Sequence, residues 1–195
     1  MTTQPVYIED IIGAVVQEVQ VEVLATIQQN ETAALGTTGI QNINYQYGHF
    51  RELIETLAQW DSDLSLRSMK YPLVYLVGDF RESRGRLAGV YADISPTVII
   101  CHQTEATYKV TDRMANVFKP VLYPIYYSLL KQLAKSSMIF AASPDLISHD
   151  KWNRKYWGTG PIETGGSDKL ALNDYVDAIE IQNLQLKIDF QPCFP

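Results

Sequence analysis

Three histidines, two cysteines and one basic–aromatic run, Lys151-Trp152-Asn153-Arg154-Lys155-Tyr156-Trp157, are the residues of this 195-residue chain best suited to chemistry. His49, His102 and His149 stand far apart, no HExxH pair occurs and no CxxC occurs, so the spacing that a zinc site requires is missing. Cys101 and Cys193 are too few for a disulfide framework, and Cys101 sits in an apolar run as a small hydrophobe would. His149-Asp150 holds the parts of an acid–base pair, but a loop histidine beside an aspartate is more simply a solvated one. Ser128-Leu129-Leu130-Lys131 matches S-x-x-K, whose acyl-transfer chemistry needs SDN and KTG partners that this chain lacks. The glycines from Gly78 to Gly89 fall between two apparent strands, where a phosphate-binding loop needs a strand-to-helix step. Asp79, Glu82, Asp93, Glu105 and Asp112 are not spaced to put a carboxylate pair on one face. No catalytic, cofactor-binding or metal-binding residue is therefore assigned. An enzyme reading would rest on Cys101, His102, His149 and Asp150, and requires them to converge in one pocket.

The run 151–157 interleaves cations with rings, a mixture that stacks on bases or docks on protein. The net charge of −6 and the lack of a basic stripe favour docking on a neighbouring subunit over gripping nucleic acid. Rings that fold back onto their own domain are the plainest alternative. Twelve tyrosines and three tryptophans suit surfaces that are buried on one side and wet on the other. The apolar fraction of 46% and charged fraction of 19% are those of a globular chain, expected here as a single α+β domain over 1–195. The first ten residues lack the basic start of a secretory signal, and no stretch approaches the ~20 apolar residues of a membrane span.

The elements that must position these residues follow from periodicity. Ile8, Ile12, Val15, Val16, Val19, Val23 and Ile27 recur at helical spacing, so a helix is predicted over 5–30 despite Gly13. The insertion 35–62 contains a short alternating stretch, Ile43, Tyr45 and Tyr47, and an amphipathic helix over 49–60. Residues 70–80 and 90–102 read as two strands of a hairpin with a long charged tip, the second interrupted near Pro96, which has no ladder donor. Residues 112–136 form the clearest helix, with Thr111 or Asp112 as its N-cap. Pro120 and Pro124 predict a bend, or a start near Lys119. Residues 141–175 read as a long irregular loop, and 177–190 as a last strand with one break at Asn183, where a bulge would fit. The fold predicted is α+β, a mainly antiparallel sheet covered by the N-terminal helix and the second amphipathic helix, with the long loop before the last strand.

This order of elements, with no catalytic set among its residues, resembles a head–tail connector or tail-terminator ring protein of tailed bacteriophages, and the chain further contains the segments KYPLVYLVGDF, VFKPVLYPIYYSLLKQL, SHDKWNRKYWG and DYVDAIEIQNLQLKI. The segments are similar to structural proteins of phages infecting gut Bacteroidetes, including the crAss-like group. The resemblance covers about two thirds of the chain and contains no diagnostic motif. It departs in the region 35–60 and in the aromatic loop. It implies a structural virion protein without cofactor, made in the bacterial host cytoplasm and assembled as a homo-oligomeric ring in the neck or tail. Its partners would be further copies of itself, adjacent portal, connector or tail proteins, and DNA that passes through the lumen without specific binding. Contacts would then fall on Trp152, Arg154, Tyr156 and Trp157 of the loop, and on Arg81, Arg84 and Arg86 of the hairpin tip. Replacing Trp152 and Trp157 together is expected to spare the fold and weaken assembly. The competing readings are a small nucleic-acid-binding module that uses the same loop, and the enzyme above.

Overall fold

The computed structural model describes residues 7–62, 70–84, 91–139, 144–157 and 174–189. They form an α+β fold, with helices on both faces of a six-stranded mixed sheet. Helix α1 spans Ile8–Leu35, strand β1 Asn44–Gly48 and helix α2 Phe50–Ser62. Strands β2 (Leu73–Arg84) and β3 (Tyr91–Gln103) follow. Helix α3 runs through an α turn (Val110–Arg113), a π-helical stretch (Met114–Leu122) and a regular α segment (Tyr123–Lys135). Strands β4 (Asp150–Arg154), β5 (Val176–Gln182) and β6 (Leu186–Asp189) complete the order. The sheet order is β1-β2-β3-β5-β4, with β6 also on β3. Among the described strands β1 and β2 make the one parallel pairing, joined through α2, and the other pairings are antiparallel.

The two faces have separate cores. Val74, Leu76, Val98, Ile100, Ile179 and Ile181 point toward α1 and α3, whose Ile12, Val19, Phe118 and Leu129 are buried against them. The intervening residues Leu73, Tyr75, Ile99, Cys101 and Ala178 point the other way, onto Leu53 and Leu57 of α2. This is the alternation of a strand buried on both faces. The region 35–62 is thus no appendage, since β1 forms a sheet edge and α2 roofs one core. Gly13 has a local purpose. A Cβ there would lie 3.0 Å from the Tyr45 ring, and the Tyr45 hydroxyl donates to the Glu9 carbonyl at 2.8 Å.

Pro96 does not interrupt β3, which runs through it; its neighbours yield instead. The β2 register shifts between Val77 and Arg81, opposite the proline. On the other side, Val98 pairs with Ile181 but Ile94 pairs with Leu186, so four residues of the last strand face three of β3. That bulge carries Asn183 at φ +52°, and the Leu184 N–H donates to the Pro96 carbonyl. The extra residue explains why inward positions change from Ile179 and Ile181 to Leu184, Leu186 and Ile188. In β2 the same irregularity holds Gly78, where a Cβ would meet the Gly48 backbone at 3.2 Å.

Helix α3 begins at Val110, not near Lys119, and is capped where the Lys109 N–H donates to Asp112 Oδ2 at 3.0 Å, so neither Thr111 nor Asp112 is the N-cap. Pro120 lies inside the π-helical stretch and Pro124 in the first turn of the α segment that follows. Wider i→i+5 turns, such as Tyr123 N–H to the Phe118 carbonyl, avoid the contact a proline ring makes with the carbonyl four residues back. The Pro120 carbonyl, which Pro124 cannot serve, accepts from the Asn30 side chain of α1 at 3.4 Å.

Helices α1 and α3 are clamped by Glu22. Its carboxylate accepts from Lys131, from Ser128 at 2.7 Å and from Gln132 at 2.6 Å. The Lys131 bond foremost, then Ser128, lowers its pKa from an ordinary 4.5 to about 2. A lowered carboxyl pKa stabilises the fold fully above pH 4.5, and that contribution is lost as the pH falls toward 2. Glu22→Gln is therefore expected to lower stability at pH 7 by about 1 kcal/mol or less, as for a pair that solvent screens. It should also flatten the loss of stability between pH 4.5 and 2, measured by urea denaturation across that range.

Candidate interaction site

The basic–aromatic run is a strand for most of its length. Residues 150–154 pair antiparallel with β5, from Asp150↔Gln182 to Arg154↔Ala178, so 141–175 is not irregular throughout. Residues 158–173 lie outside those described. Among the described residues β4 has no other strand partner and forms one sheet edge, as β1 forms the other. Strand alternation then divides the run's side chains between the two faces.

On the α2 face stand Trp152 and Arg154. Trp152 is 50% exposed, and the Arg154 guanidinium lies 4.9 Å from its ring. Arg154 donates to Glu180 Oε2 at 2.8 Å, which holds the cation beside the indole. On the helix face, the Lys151 ammonium lies 4.3 Å from the Tyr123 ring centre, 4.4 Å from Tyr126 and 5.9 Å from Tyr127. These rings come from one side of α3. They attract the ammonium through their π faces, while burial lowers its pKa. Asn153 donates to the Tyr123 hydroxyl at 2.9 Å, so β4 is held on α3 at two successive inward positions.

Beyond Arg154 the backbone turns at Tyr156, at φ +52°. The Tyr156 ring stacks 3.8 Å from the Arg113 guanidinium carbon, and its hydroxyl donates to the Ala106 carbonyl at 3.1 Å. Trp157 is 8% exposed and meets Phe50 of α2 edge-on at 5.4 Å. Trp152 thus stands outside the core as expected and Trp157 does not. Its ring fills the end of the α2 core, and the double replacement would damage the fold itself. Arg81 is exposed on β2, while the Arg84 side chain and Arg86 lie outside the described residues.

Beneath Tyr156 lies a buried ion pair. Arg113 is 1% exposed and Asp177 0%, and they meet at 2.5 Å. Arg113 also donates to the Tyr108 and Glu105 carbonyls, each at 3.1 Å, and to the Thr104 hydroxyl at 3.3 Å. Asp177 Oδ1 accepts in addition from the Tyr156 N–H at 3.1 Å. Sequence reasoning missed this pair. Its signal was present, because Asp177 shares the inward parity of Ile179 and Ile181, and Arg113 is one helical step from Val117.

The histidines do not converge with Cys101. His102 points to the helix side of β3, where Nε2 lies 3.5 Å from Glu31 Oε1. Cys101 faces the α2 core, and burial pushes its thiol up. His149 is engaged elsewhere, 2.6 Å from the Tyr126 hydroxyl and 2.8 Å from the Ile147 carbonyl. Asp150 accepts from Asn183 at 2.7 Å. His49 lies on the surface, 3.5 Å from Asp79.

One cavity of about 290 Å³ includes Glu31, His102, Thr104, Glu105, Tyr108 and Asn116 in its lining. Burial opposes ionisation of Glu31, but the His102 and Thr38 side chains outweigh it and hold the carboxyl below its ordinary value. Among the described residues no group of three or more metal-ligating side chains converges, and no helix is long and apolar enough to cross a membrane. Comparison with known proteins finds no matching family model, no matching curated protein and no matching solved structure.

Two substitutions test this account by urea denaturation. Arg113→Ala strands a buried carboxylate and is expected to cost about 3–5 kcal/mol. Trp157→Ala empties the end of the α2 core and is expected to cost a similar ~3–5 kcal/mol. Either value below about 1 kcal/mol would contradict the packing described.

Proposed function

We propose that this chain is a structural subunit of a homo-oligomeric ring in the neck or tail of a tailed bacteriophage. In that setting it would join portal to tail and let DNA pass. The observation that carries the reading is a sheet whose two edge strands have no further strand partner among the described residues, one of them bearing an exposed Trp152 braced by Arg154. Tryptophan and arginine are the residue types most enriched where binding energy concentrates. A subunit that presents two different edges associates head to tail, and head-to-tail contacts close into rings when the rotation between copies permits. The net charge of −6 suits a channel through which a polyanion must slide without adhering. The resemblance of the order of elements to phage neck and tail ring proteins, and of the segments quoted above to phage structural proteins, supplies the biological setting.

Light scattering followed by negative-stain imaging tests the reading. Ring-sized particles, alone or on a portal template, are the expected result. A monomer that stays monomeric under both conditions would sink it. Trp152→Ala, whose side chain is outside the core, is expected to fold normally and to weaken assembly about tenfold or more. Unchanged assembly would remove this surface from the interface. Specific retardation of DNA that weakens steeply with salt would favour a nucleic-acid-binding module instead.

A further inference from the structure

The hydrogen-bond phase of the sheet determines which backbone groups each edge strand turns away from the sheet. The Asn44 N–H donates to the Pro72 carbonyl, so Asn44, Gln46 and Gly48 turn their backbone groups toward β2. Tyr45 and Tyr47 then turn theirs outward. At the other edge, the Thr104 N–H donates to the Tyr175 carbonyl, which continues the β3–β5 register. Odd-numbered residues of β5 therefore bond to β3 and even-numbered ones to β4, as the Trp157 N–H to Val176 carbonyl bond confirms. Asp150, Trp152 and Arg154 consequently bond inward to β5, while Lys151 and Asn153 face outward.

The two edges match. Both strands have five residues. The chain of parallel and antiparallel pairings makes β1 and β4 run in opposite directions. Side-chain parity matches as well. The outward-bonding residues Tyr45 and Tyr47 lie on the helix face of the sheet, and so do Lys151 and Asn153. We infer that β4 of one copy pairs antiparallel with β1 of the next, Lys151 opposite Tyr47 and Asn153 opposite Tyr45, which makes one sheet continuous through the ring. Those are two hydrogen-bonded pairs, each exchanging both backbone bonds. On the α2 face the same register sets Trp152 opposite Gln46 and Arg154 opposite Asn44. This proposal rests on the ring reading and specifies its interface.

A second copy is the occupant that satisfies both edges at once. Pairing β4 with β4 about a two-fold axis would leave β1 open, and an open edge is a template for further association. The register is tested in two ways. In the unaltered protein, hydrogen exchange at the amides of Tyr45, Tyr47, Lys151 and Asn153 is expected to slow about tenfold or more on assembly. In a Cys193→Ser background, Gln46→Cys together with Trp152→Cys, at a protein concentration raised about tenfold or more to offset the weaker assembly that loss of the indole brings, is expected to give a disulfide-linked ladder on mild oxidation. Non-hydrogen-bonded antiparallel pairs lie within disulfide reach. Trp152→Cys alone should remain unlinked. Efficient dimers from Trp152→Cys alone would mean two-fold β4 pairing and overturn the inference. Rings by light scattering whose four amides exchange as fast as in the monomer would overturn this register and leave the ring reading intact. A monomer with neither protection nor cross-links would overturn both.

Discussion

A guanidinium and a carboxylate almost wholly removed from water tolerate no loose arrangement around them. Each would cost several kcal/mol to bury alone, and their attraction compensates only if the remaining donors and acceptors are also met. Arg113 meets that condition by collecting the carbonyls of Tyr108 and Glu105 and the Thr104 hydroxyl, while Asp177 takes the Tyr156 N–H. Four chain segments are thereby fixed to one point: the end of β3, the start of α3, the start of β5 and the turn after β4. Asp177 Oδ2 and His102 Nδ1 are the buried polar side-chain atoms without a partner among the described residues, and they belong to directly opposite residues of β5 and β3. The polar array thus extends from Arg113 through Asp177 toward His102 and Glu31, crossing from α3 to α1 under the helix layer. The position of the β4 edge is set by the same array, because Tyr156 leaves the strand directly onto Arg113.

Much of this fold was legible in the chain, and the failures share a cause. Helices α1, α2 and α3 showed themselves because a one-sided apolar stripe has no other economical explanation. The last strand, with its break at Asn183, was legible because a bulge rewrites the alternation of inward residues. Pro96 misled. A missing donor was expected to end the strand that contains it, yet β3 is the central strand and its neighbours absorbed the mismatch. Pro120 misled similarly, since a helix can widen locally as well as bend.

The site was less legible than the fold. Trp152 and Trp157 look equivalent in KWNRKYW, but strand parity and the turn at Tyr156 send one to the surface and the other under α2. Five residues of β4 were hidden because Lys, Asn and Arg dilute the apolar alternation that identifies a strand. Lys151 in particular reads as solvated, and only the three tyrosines of α3 make its inward direction favourable. Those tyrosines are separated from it by more than twenty positions, and no local pattern announces the contact.

With Trp60 of α2 replaced by Phe, the unequal placing of the two remaining indoles makes the chain its own optical reporter. Trp157 sits in an apolar, buried setting against Phe50, where emission is blue-shifted and shielded from aqueous quenchers. Trp152 is half exposed beside a guanidinium at a sheet edge, where emission is red and open to quenching. Loss of the blue component follows unfolding, and shielding of the red component follows whatever comes to cover that edge.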